Sequence, residues 1–133
     1  MPALPAPGAG ANAARLHEAL QWFALLGGAL AWATQFVLAF WIAAGRCYPA
    51  NAGWHTPEKA FYMAATAPAA LVALLAEGAA IWLYLQLRDH DNTPPGGRHV
   101  FFAYASIAGN VLFLALILLG GIGVLYQLGC VQA

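Results

Sequence analysis

Charge is what this sequence has least of. Five Lys plus Arg and five Asp plus Glu make up 8% of 133 residues, against 62% hydrophobic residues and a mean hydropathy of +0.69. No basic run exists, so a nucleic-acid surface is excluded. Histidine is equally sparse inside the apolar stretches: His17, His55, His90 and His99 all fall in flanks or loops, which leaves no axial ligand for a haem within a helix bundle. There is no C-x-x-C-H run for covalent haem, and the two cysteines, Cys47 and Cys130, stand far apart without a zinc-like cluster. Asp89, His90 and Asp91 fall in a polar turn, where such residues usually form a solvated face. Nucleophile and base pairs, phosphate loops and paired acids are all missing. The chain is expected to hold no cofactor or metal of its own and to catalyse nothing by itself.

What it has in abundance is uninterrupted apolar length. A helix needs about 20 apolar residues to cross a hydrocarbon core of roughly 30 Å. Three segments meet that length, about 20–44, 57–87 and 99–128, and they account for nearly everything between them. The expected fold is therefore an all-α membrane protein of three transmembrane helices. Residues 1–19 form a flexible leader with a short interfacial segment, and 20–129 form the transmembrane domain. Within that leader, Ala13 to Gln21 reads as an amphipathic entry lying along the headgroups. The apolar run after Arg15 is too long for the core of a cleavable signal, so the first helix is expected to stay in the mature protein.

Several local signals refine these limits. Thr56, Pro57 and Glu58 suit the start of the second helix, as cap, first helical residue and dipole partner. Pro68 removes a backbone hydrogen bond within that helix and predicts a kink around Ala64 to Pro68. Arg15, Arg88 and Arg98 outnumber Arg46 and Lys59 across the flanks, which votes for a cytoplasmic N-terminus and a periplasmic C-terminus in a bacterial inner membrane. That topology puts Cys47 and Cys130 on one outer face. There they are expected to pair as a disulfide, the alternative being two unrelated thiols. Aromatic belts are expected from Trp22, Trp82, Tyr84, Phe101 and Phe102 at one interface, and from Trp41, Tyr48, Trp54, Phe61, Tyr62 and Tyr126 at the other.

The residues that stand out are the small and polar ones inside the spans. Gly27, Gly28 and Ala31 strip part of the first helix to its backbone, which lets another helix approach closely, and Trp32 and Gln35 follow them. Gly28, Ala31 and Gln35 recur at spacings of three and four, so they line one stripe. This stripe is expected to meet a partner, with Gln35 bonding another subunit; the rival is a seam inside the chain. Glu77 is the only ionisable group deep in a span, and Asn110 lies at the same depth when counted from the second loop. A Glu77 to Asn110 hydrogen bond, with Ser106 one turn away, is the expected structural use of the pair.

Leu26-Gly27-Gly28-Ala29-Leu30-Ala31-Trp32 and Gln35, followed by Cys47 after the span and Cys130 near the C-terminus, resemble a known family. Small three-helix membrane proteins found with haem-copper cytochrome c oxidase operons have a similar Gly-x-Leu-Ala-Trp helix and similarly placed cysteines. The resemblance implies an accessory or assembly role, with haem and copper held by partner subunits. Such a chain would pack on the catalytic subunit, bind phospholipids between helices and steady the docking of cytochrome c. Two other classes stand beside it. One is a small homo-oligomeric transporter or channel whose path is lined by Glu77. The other is an assembly factor using Cys47 and Cys130 as thiols.

Overall fold

The computed structural model describes residues 9–47, 58–88 and 96–126, with side chains at 10–45, 59–88 and 98–126. All three segments are helical: α1 (Ala9–Cys47), α2 (Glu58–Leu87) and α3 (Gly96–Tyr126). Each is long and apolar enough to cross a membrane. Every helix packs on both others, so the three close on one another as a bundle.

The first helix departs from expectation at its start. Its 39 residues run without a break through Ala13–Gln21, so the entry segment is the end of the same rod and not a separate interfacial helix. The cause is local. Alanines at 9, 11, 13, 14 and 19 favour helix, and extending an existing helix avoids the cost of nucleating a second one. α2 is helical from Glu58 to Leu87 with Pro68 inside it, and Pro68 is exposed beside a groove shared with α1. The proposed cap at Thr56 and Pro57 and the end of the third span at residue 128 lie outside the described residues.

The interior is made of alanine. Ala24 and Ala31 on α1, Ala69, Ala73, Ala76 and Ala80 on α2, and Ala103 on α3 are buried, whereas the largest fully buried side chains are Ile117 and Asn110. In α2 the inward positions run Tyr62, Thr66, Ala69, Ala73, Ala76, Ala80 and Leu83, alternating steps of four and three. That is the spacing by which one helix keeps a single stripe against its neighbours. Small side chains on the stripe bring backbones together, which matters in lipid because apolar burial between helices supplies no drive there. The large residues point the other way. Leu30, Phe36, Phe40, Leu71, Leu75, Leu112 and Leu119 are all more than half exposed, a surface fit for acyl chains and not for water.

Trp22, Trp82, Phe101, Trp41, Phe61 and Tyr126 are outward, as belt residues require. Tyr62 is not among them. It is buried, and its hydroxyl donates to the Ala39 carbonyl at 3.1 Å, tying α2 to α1.

Candidate functional site: the polar seam and Glu77

The side chains singled out at mid-span converge, but in a different pattern from the one expected. Gln35 is buried and uses its amide nitrogen twice, donating to Thr66 Oγ1 at 2.9 Å and to the Ile117 carbonyl at 3.2 Å. Thr66 in turn donates back to the Tyr62 carbonyl at 2.8 Å. One amide thus joins α1 to α2 and α3 together. It does not reach out to another subunit, because the stripe that carries it is turned inward.

Two turns further toward the N-terminal end, Asn110 repeats the arrangement. Its amide donates to the Ala24 carbonyl of α1 at 2.8 Å, and its Oδ1 lies where a side chain on Gly28 would have to go. The expected Glu77–Asn110 hydrogen bond therefore does not form: Asn110 is rotated toward α1, and equal depth along two helices says nothing about rotation around them. Ser106 is buried and donates to the Phe102 carbonyl one turn back on its own helix at 2.7 Å.

The small residues complete the seam. A Cβ placed on Gly27 would sit 2.8 Å from the Ala76 Cβ, and one on Gly121 would sit 2.6 Å from Thr66 Cγ2. Ala31 packs with Ala69, Ala73 and Ile117, flanked by Trp32. Trp32 stacks with Phe36 at 5.7 Å between centroids and meets Phe113 of α3 at 5.8 Å. The stripe of Gly27, Gly28, Ala31 and Gln35 is thus a seam within the chain, and the expectation that it faces a partner is corrected.

Glu77 stays outside this network. It follows buried Ala76 and lies one turn from buried Ala73 and Ala80 on one side and from exposed Leu74 and Ile81 on the other, at the shoulder between seam and lipid face. Its Oε2 is buried and has no hydrogen-bond partner. Sequence reasoning singled Glu77 out through the cost of a carboxyl group in lipid but assigned it a partner that is already engaged.

Among the clefts lined by the described residues, two exceed 400 Å³. One, of about 440 Å³, lies at the N-terminal end of α1 between His17, Glu18, Gln21, Trp22, His99 and Phe102, where Gln21 Nε2 and His99 Nδ1 approach to 3.3 Å. The other, of about 430 Å³, is an apolar groove between α1 and α2 walled by Phe23, Gly27, Leu30, Ala65, Pro68 and Val72. Among the described residues no three His, Cys, Asp or Glu side chains gather as metal ligands do. The expected Cys47–Cys130 disulfide lies outside the described residues, since Cys130 and the side chain of Cys47 are not among them.

Replacing Gln35 by Leu removes both interhelical bonds at once. Such bonds are worth about 0.6 to 1.7 kcal/mol each within a membrane. The variant should lose roughly 1 to 3 kcal/mol of stability in an SDS unfolding titration in mixed micelles, and Gln35→Glu, which donates no hydrogen bond when ionised, should lose at least as much.

No protein-family model, characterised protein or solved structure matches this chain. The class to which it belongs is set by its own helices: three spans, each long and apolar enough for a bilayer, make it a multi-pass membrane protein.

Proposed function

We propose that the chain is a non-catalytic accessory subunit of a respiratory membrane complex. A haem-copper cytochrome c oxidase is the complex toward which the resemblance of the first helix points. One observation carries the reading. The intramembrane polar side chains Gln35, Thr66, Ser106 and Asn110 all have partners within the chain, so the bundle closes on itself and keeps an apolar outer surface for packing against other membrane subunits and phospholipids. In this reading the N-terminus is cytoplasmic, the membrane is a bacterial inner membrane, and haem and copper belong to the partner subunits. Cytochrome c docking is served indirectly, through the subunit on which the chain packs.

Blue-native separation of mildly solubilised membranes tests this. The tagged chain should migrate in a large band that shows a reduced-minus-oxidised haem spectrum. A haem-free band containing this chain alone would overturn the reading and favour the homo-oligomeric alternative. The unpartnered oxygen of Glu77 is what favours that second reading, and its own test is ion flux into liposomes that is lost on Glu77→Gln. Association only during oxidase maturation, with absence from the finished complex, would instead mark an assembly factor.

A further inference from the structure

We propose that the cleft between the N-terminal parts of α1 and α3 seats the headgroup of a zwitterionic, amine-bearing phospholipid, with its ammonium on Glu18 and its phosphate on the imidazole of His99. The inference goes beyond the accessory-subunit reading and needs only that the chain spans a membrane.

The cleft lies at the depth where a bilayer carries its headgroups. Its α1 wall runs from Ala14 to Leu25, across the change from polar residues to the apolar run that starts at Leu20, and His99 and Phe102 make the same change on α3. Trp22, which lines the cleft and is 57% exposed, is of the residue type enriched at that level. The lining is also sorted along the helix axis. His17, Glu18 and Gln21 precede Trp22 and Leu25 on α1, and His99 precedes Phe102 on α3, so polar groups stand outermost and apolar ones toward the hydrocarbon. That is the order of a lipid, charged head first and acyl chains after it. With a volume of about 440 Å³, the cleft falls within the size of small-molecule sites.

Its charges suit a zwitterion. Glu18 is the one acid of the lining, and no Lys or Arg lines the cleft beside it. Among the described residues no hydrogen bond or ion pair engages Glu18. An ammonium meets an acceptor there, whereas an anionic headgroup meets repulsion, and a choline has no N–H to give. The phosphate finds its partner across the cleft. Gln21 Nε2 can only donate, so at 3.3 Å His99 Nδ1 accepts, and the ring keeps its proton on Nε2, where it can donate to a phosphate oxygen. Arg15 and Arg98, exposed on the same two helices at this level, add positive potential for that phosphate. A bare metal ion is the wrong ligand. His17, Glu18 and His99 do not converge as metal ligands do, so they suit a molecule that meets them at separate points.

The test uses the full chain purified in mild detergent and offered equal amounts of phosphatidylethanolamine, phosphatidylcholine and phosphatidylglycerol with the same acyl chains. Native mass spectrometry reads the retained lipid. Phosphatidylethanolamine should be retained about two- to five-fold over either rival, the range of one exposed ion pair. Glu18→Gln should bring it down to the level of phosphatidylcholine, while Lys59→Gln, on an exposed residue at the opposite end of the bundle, should leave the preference unchanged. His99→Ala should lower retention of all three lipids alike, because each carries the phosphate. Glu18 and His99 are both exposed, so these variants should keep the helical circular dichroism of the wild type.

Other outcomes overturn the proposal. Equal retention of the ethanolamine and choline lipids does so, as does a preference that survives Glu18→Gln. Preferential retention of phosphatidylglycerol would assign the headgroup to the arginines and leave Glu18 without a part. Displacement of retained phosphatidylethanolamine by O-phosphoethanolamine, the same head without its tails, would mark a site for a soluble ligand. Retention of a second copy of this chain in place of lipid would make the cleft a contact between copies.

Discussion

Gly28→Leu should unfold the bundle from the inside. A Cβ at this position meets Asn110 Oδ1, with Asn110 Cγ at 3.3 Å and its Cα in ordinary contact at 3.4 Å, so the new side chain must displace an amide that is already bonded to the Ala24 carbonyl and then press on α3. Two losses follow. Separating α1 from α3 is an overpacking cost of about 1–3 kcal/mol. Breaking the bond from Asn110 to the Ala24 carbonyl leaves a buried amide unsatisfied, for about 1–3 kcal/mol more. A total of roughly 2–6 kcal/mol is a large share of the stability of a small domain. An SDS titration followed by circular dichroism measures it. Gly109→Ala is the matched control, one residue before Asn110 and with open space around it, and should not destabilise the bundle but gain up to about 1 kcal/mol from helix propensity. An intact Gly28→Leu bundle, stable alone but released from its complex, would instead mark the stripe as a partner surface.

Gly27→Ala should destabilise by about 1–3 kcal/mol, and Ala76→Gly in the same chain should return much of the loss. The added Cβ would stand 2.8 Å from that of Ala76, closer than two methyl groups can approach, and both are fixed to helix backbone. Phe23, at 3.2 Å, can turn aside; Ala76 cannot. Ala76→Gly alone costs about 1 kcal/mol through helix propensity. The double variant should therefore be more stable than the sum of the singles by about 1–2 kcal/mol, the coupling of residues in direct contact. Additivity within error would mean that α1 and α2 do not meet at this point.

How much of this was legible in the sequence depends on the kind of question. Three helices follow from apolar length and polar breaks alone, and close approach at Gly27, Gly28 and Ala31 follows from side-chain size. Rotation about the helix axis was harder to read. In lipid the outer face is as apolar as the seam, so hydropathy does not separate Ala73 from Leu74, and depth counted in turns placed Asn110 level with Glu77 without revealing that it faces α1. A signal was there for Tyr62. Its position was read as an interface belt, but it begins the four-and-three run through Thr66, Ala69, Ala73, Ala76 and Ala80, and small residues at that spacing mark the inward stripe. The early start of α1 was concealed by Pro and Gly before residue 9, whose breaking effect does not extend into the alanines that follow.

The measurement closest to the heart of the account is a through-space proton contact from the Asn110 side-chain amide in the isolated chain. In micelles, with labelled and unlabelled copies mixed so that contacts within and between chains are told apart, that amide should show contacts to the α protons of Ala24 and Gly28 within one chain, with no partner protein present. Their absence, or their appearance only between chains, would contradict a bundle that closes its own seam and meets other proteins elsewhere.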